Sequence, residues 1–214
     1  MTDPASARTS QLILVPATIT LAVTLLRLAG ELQGWSPVLF SREPGGGGSL
    51  VGIAWLVPVF GAWFGWRLVR SGERPGRLGR ALGLTVLALA LMPATGFAAA
   101  KLGMSQSLAT LGAFAVVSVV GLAVAVLAWP ALGRVLLAYG LAARIPVALV
   151  MLAAILGNWG THYDVLPPGA PEMAGLRKWF VIGLLPQMTI WLWFTSVIGG
   201  LFGIGAGAIA ARKR

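Results

Sequence analysis

Six separate runs of about twenty predominantly apolar residues constrain this 214-residue chain more than any other feature. They fall at about 11–30, 50–66, 81–100, 108–129, 134–157 and 179–211, and each is long enough to cross the hydrocarbon core of a bilayer as an α-helix. Between them lies little that could cover such runs in water. Charged residues make up 10% of the chain and apolar residues 57%, whereas a soluble domain carries about 25% charged residues. A soluble enzyme, a disordered tail and a soluble nucleic-acid-binding domain are thereby excluded. The expected fold class is all-α: a polytopic integral membrane protein with one transmembrane domain over 11–211. A short N-terminal segment, 1–10, and a basic C-terminus, 212–214, flank it. The first run reads as a retained helix, because Met1-Thr2-Asp3-Pro4 is not basic and Arg27 and Glu31 occupy the place where a small-residue cleavage site would fall.

Basic residues orient the bundle. The net charge of +10 would suit a polyanion, but its distribution follows the positive-inside rule. With the N-terminus placed in the cytoplasm, eleven of the sixteen Lys and Arg lie on the cytoplasmic side, among them Arg67, Arg70, Arg74, Arg77 and Arg80 in the second connection. Both termini are then cytoplasmic, as six spans require. The five clustered arginines are expected to meet anionic lipid headgroups, and no nucleic-acid partner is expected. Trp35, Trp55, Trp159 and Trp179 fall near the outer interface, and Trp63, Trp66 and Trp129 near the inner one, where amphipathic rings are favoured. The Ala, Gly, Leu and Arg bias with few Lys suits a GC-rich bacterial genome, hence the inner (plasma) membrane.

Chemistry is scarce. Without Cys and with a single His, a thiolate metal site, a cysteine nucleophile and a multi-histidine haem or zinc site are excluded within the chain. No cofactor, metal site or catalytic residue is assigned. The Pro44–Ser49 stretch, Pro-Gly-Gly-Gly-Gly-Ser, lacks the Gly-Lys-Ser/Thr ending of a phosphate loop and reads as a flexible outer linker.

The remaining polar residues form three candidate groups. Arg27 and Glu31 are four apart, on one face if the first helix continues through both. They form either a structural ion pair that ends the span or part of an anion- or substrate-facing cluster at the outer mouth. Asn158-Trp159-Gly160-Thr161-His162-Tyr163-Asp164 is the densest polar stretch. His162 and Asp164 there could serve as a base and its orienting acid, and the same groups could equally finish a helix end. Arg144 lies 13 residues, about 20 Å, below the outer end of the fifth run and two residues before Pro146. It either faces the bundle interior, where an intramembrane Arg marks function, or snorkels to the inner headgroups. Direct pairing of Arg144 with Glu31 looks too deep. The ligand-binding candidates are therefore Arg27, Glu31, Arg144, Asn158, Trp159, His162, Tyr163 and Asp164.

Gly199, Gly203 and Gly207 repeat at i, i+4 and i+8 in the last run, a ridge that lets another helix approach closely. Its partner could be another segment of the chain, a second copy or a membrane-complex subunit. The last run exceeds one span, so it must tilt or break near Pro186. Pro58 with Pro146, and Pro93 with Pro186, occupy matching positions if the six runs divide as three plus three, a transporter pattern when such helices are broken. Three function classes follow. The first is small-solute transport, a channel or ligand binding at a polar outer mouth. The second is a non-catalytic accessory subunit of a membrane complex. The third is a membrane-embedded hydrolase or transferase using His162 and Asp164.

Overall fold

The computed structural model describes residues 4–44, 49–104 and 107–212. Positions 45–48 of the glycine linker lie outside the described residues, as do Lys213 and Arg214. Among the described residues the chain is helical with no strand: α1 (Pro4–Leu32), α2 (Leu56–Arg70), α3 (Leu78–Lys101), α4 (Leu108–Ala128), α5 (Pro130–Gly157) and the interrupted α6 (Gly175–Arg212). All but α2 are long and apolar enough to cross a membrane, so this is a multi-pass membrane protein. Large apolar side chains point outward from the bundle, including Leu14, Leu25, Val86, Phe97 and Val116. Such side chains find their solvent in lipid.

The helix boundaries depart from the apolar runs in instructive ways. Residues 4–10 are helical and continuous with α1, whose apolar span begins at Thr9. The second run, 50–66, is displaced. Residues 50–55 are apolar but not helical, with the Leu50 and Val51 amides donating to the Val38 and Leu39 carbonyls at 3.3 and 3.1 Å. The helix proper starts at Leu56 and is 15 residues long, about 22 Å. Arg67 and Arg70 therefore belong to the last turn of α2 rather than to a loop, where cations complement the exposed carbonyls. Pro130 opens α5 at its first position, where a missing amide costs nothing.

Only one proline coincides with a broken helix. Pro58 sits in the first turn of α2, and α3 and α5 run unbroken through Pro93 and Pro146. The matched pairs of broken helices expected of an inverted repeat are thus not present. α6 does break near Pro186, which lacks an amide and crowds the preceding turn. A short α segment, Gly175–Lys178, passes into a π turn, Trp179–Leu184, then Leu185–Met188. After Thr189, whose φ and ψ are −121° and −77°, the regular helix Ile190–Arg212 follows.

α6 is the centre of the bundle, in contact with α2, α3, α4 and α5, while α1 packs on α5. The glycine ridge finds its partner inside the chain. Gly61 and Gly65 of α2 lie against Gly199 and Gly203, and Val69 reaches Gly207, so the two helices run parallel. A Cβ at Gly61 would stand 2.5 Å from the Gly199 Cα, and one at Gly65 2.6 Å from the Gly203 Cα. Trp193 locks the other side of α6, donating its indole N–H to the Ala88 carbonyl of α3 at 3.1 Å. A Tyr139–Thr20 hydroxyl contact of 2.8 Å ties α5 to α1.

Candidate functional site

The two long connections meet at one end of the bundle, over the C-terminus of α1. Glu31, penultimate in α1 and 1% exposed, gathers them. Its Oε1 accepts from Arg27 Nε at 2.8 Å and from His162 Nδ1 at 2.5 Å, and its Oε2 accepts the His162 amide at 2.9 Å. Arg27 also donates to the Ser41 carbonyl at 3.0 Å, and Arg42 donates to the Glu31 carbonyl. A carboxylate near a helix C-terminus is disfavoured by the local carbonyl dipoles. Arg27, buried on the same helix face, supplies the compensating charge, and Arg42 covers the exposed carbonyl. The i, i+4 pair is therefore both an ion pair ending α1 and the anchor of the loop that follows α5.

That loop is shaped by two further candidates. Asn158 is the left-handed cap of α5, with φ 49° and ψ 56°, a conformation Asn tolerates better than most residues. Its side chain is exposed, and the ring of Trp159 folds over Gly157 with the residue 38% exposed. Neither enters the site, contrary to the sequence expectation. Asp164 is buried, but it does not orient His162. Its carboxylate accepts the Gly160 amide at 2.9 Å and both the amide and hydroxyl of Thr161 at 2.7 Å. Three donors from its own turn make Asp164 a loop-closing residue. The group that orients the imidazole is Glu31, 131 residues away in sequence.

Tyr163 completes the mouth. Its ring lies 3.8 Å from that of His162, centroid to centroid, and its hydroxyl donates to the Thr24 carbonyl at 3.3 Å. Burial holds the Tyr163 phenol well above its ordinary pKa, so it is a neutral donor. Burial pushes His162 below its ordinary value of 6.5; the hydrogen bond to Glu31 opposes this, and the Arg27 charge adds a smaller push in the same direction as burial. His162 is then neutral at pH 7, its Nδ1–H directed at Glu31.

A depressed histidine pKa has a defined consequence. The unfolded chain binds the proton more readily, so the stability contributed by neutral His162 is complete above about pH 6.5 and falls as pH drops through the window below it. Thermal unfolding in mild detergent should show a melting temperature that declines from pH 7.5 to 5.5, and His162→Asn should flatten that part of the profile. An unchanged slope in the variant would assign the acid sensitivity to another group.

Beneath the mouth lies a cavity of about 660 Å³. Arg27, His162 and Tyr163 line its upper part, and Arg144, Gln187 and Trp191 line it deeper in the bundle. The broken stretch of α6 supplies Ile182 and Gln187, the first turn of the regular helix after it supplies Trp191, and the non-helical approach to α2 supplies residues 52–55. Arg144 does not snorkel. Because α5 begins at Pro130, Arg144 is near mid-helix, about 20 Å from either end. It is 3% exposed, with its guanidinium carbon 4.5 Å from the centroid of the Trp191 ring. Sequence reasoning missed Arg42, Thr24, Gln187 and Trp191. Gln187 was the most legible of them, an amide beside Pro186 in an otherwise apolar run.

The five arginines are exposed at the opposite end of the bundle, Arg67 and Arg70 in the last turn of α2, Arg74 and Arg77 in the connection and Arg80 in the first turn of α3. Arg67 and Arg70 lie over the rings of Trp63 and Trp66, at 5.8 and 5.6 Å. Among the described residues, no group of three or more metal-ligating side chains comes together. The chain matches no known family model, no curated protein and no solved structure.

Proposed function

We propose that this protein binds a small solute inside the membrane, as a transporter, channel or receptor. Its ligand reaches the cavity through the mouth formed by Arg27, His162 and Tyr163. What supports this reading is the cavity itself. Its volume of about 660 Å³ lies in the range of small-molecule sites, and polar groups stand at two depths along a largely apolar wall. In this reading the arginine-rich end faces the cytoplasm. Arg67, Arg70, Arg74, Arg77 and Arg80 then sit among anionic headgroups of the plasma membrane, next to the Trp63 and Trp66 rings.

The competing classes have less to stand on. An accessory subunit needs an open packing surface, and the glycine ridge that suggested one is covered by α2. A hydrolase built on His162 and Asp164 needs the two to touch, and Asp164 is committed to Gly160 and Thr161.

Cysteine accessibility tests the reading cleanly, because the chain has no Cys of its own. Val147→Cys places a thiol on the cavity wall, and Leu149→Cys places one on the outward face of the same helix. A membrane-impermeant methanethiosulfonate added outside intact cells should modify Val147→Cys at least about tenfold faster, since a thiol must ionise to react and cannot do so in lipid. Equal resistance of both positions overturns the reading, and modification of Val147→Cys from the cytoplasmic side alone reverses the orientation.

A further inference from the structure

The cavity holds a charge without a counterpart. Among the described residues the ion pairs are Arg27–Glu31 and His162–Glu31, and neither reaches Arg144. The Nε of Arg144 is buried with no hydrogen-bond partner. Its guanidinium lies over the Trp191 face, a favourable contact that does not replace the hydrogen bonds of hydration. Removing a guanidinium from water is costly unless it is paired, and Arg remains charged across the physiological range. In the wall of the same cavity, Gln187 is 6% exposed and its Oε1 is likewise unpartnered, while its Nε2 has the Met151 sulfur at 3.7 Å. The surrounding wall is apolar, with Val23, Ile53, Val147 and Ile182.

Building on the reading of the cavity as a ligand site, we propose that its ligand is a small amphipathic monoanion. A carboxylate-type head pairs with the Arg144 guanidinium beside Gln187, and an apolar body lies along Val147 and Ile182. One negative charge is specified because Arg144 is the one cavity cation left over. The charge of Arg27 is already matched by Glu31. A charge-assisted hydrogen bond to Nε satisfies the orphaned donor, and the low-dielectric setting strengthens it. A water-soluble organic acid entering by the mouth and a single-chain fatty acid entering from the bilayer share this chemistry.

The test uses the full chain in phosphatidylcholine nanodiscs, with binding of radiolabelled benzoate, laurate, benzyl alcohol and dodecanol at neutral pH. At least one acid should bind wild type about tenfold more tightly than its alcohol. Arg144→Gln should reduce that preference to within about twofold, and Arg144→Lys should retain most of it. Benzoate preference assigns an aqueous source and laurate preference a bilayer source. Removing an unpaired buried cation should not unfold the protein, so an unchanged or higher melting temperature of Arg144→Gln accompanies the expected result. Val147→Trp, which fills the cavity, should weaken acid and alcohol alike. If alcohols bind wild type as tightly as acids, or if Arg144→Gln keeps the acid preference, the monoanion assignment is overturned while a response to Val147→Trp preserves the cavity as a site. Absence of binding by all four compounds, in protein whose Val147→Cys thiol is readily modified, overturns the assignment alone. Absence of both binding and modification overturns the cavity reading as well.

Discussion

Glu31→Ala should lower the melting temperature by about 6–12 °C, corresponding to about 3 kcal/mol for a chain of this size. The carboxylate is the shared acceptor of Arg27 Nε, His162 Nδ1 and the His162 amide. Its removal leaves the 7% exposed Arg27 without its countercharge and releases the loop that roofs the cavity. Breaking a buried pair from one side is far more damaging than deleting both charges. The double variant Arg27→Gln/Glu31→Gln should therefore recover most of the loss seen for Glu31→Ala. Thermal unfolding of the three proteins in the same detergent measures the difference. A double variant as unstable as Glu31→Ala would show that loop docking through His162, and not charge compensation, dominates the site.

Gly65→Leu should be worse still. Its Cβ alone would meet the Gly203 backbone, with the Gly203 Cα at 2.6 Å. No rotamer relieves a clash between backbones, so α2 must move off α6. Overpacking of ordinary cores costs about 1–3 kcal/mol, and a displaced helix interface exceeds that. Expected results are loss of a monodisperse species in mild detergent and reduced accumulation in the membrane. Gly205→Ala provides the contrast on α6, since nothing lies within 4 Å of the added Cβ. It should be neutral or slightly stabilising, because Ala is the better helix former by about 1 kcal/mol. If both variants were tolerated, the Gly61–Gly65 contact with α6 would not be a determinant of the fold.

The positions that sequence reasoning recovered share a property: their signal is local. Long apolar runs located α1, α3, α4, α5 and α6 closely, because hydrophobic length is a direct consequence of bilayer thickness. Arg27 and Glu31 were paired correctly since i, i+4 spacing on a helix needs no tertiary information. The break in α6 followed from Pro186, and the close-packing ridge from Gly199, Gly203 and Gly207. Misreadings arose where a residue's partner is distant in the chain. His162 was set beside Asp164, its neighbour in sequence, whereas its orienting acid comes from α1. Residues 50–55 have the composition of a helix but serve as a non-helical cavity wall, their amides answered in part by residues 38–39. Asn158 and Trp159 stand out by polarity and aromaticity, and the structure places them outside the cavity lining, at the end of α5 and over its last turn.

What the amino-acid sequence alone determined is the solvent of this protein and the length of most of its helices. Six apolar runs and few charges leave no other way to satisfy the backbone than helices in a bilayer. Which side chains meet was decided by the tertiary structure, because packing depends on the rotation and offset of each helix. Neither quantity is encoded in hydropathy. The depth of Arg144 shows the division. Its charge and its place in an apolar run were visible from the start, but mid-helix burial, contact with Trp191 and the absence of a partner at its Nε emerge only when α1, α5 and α6 are brought around one cavity.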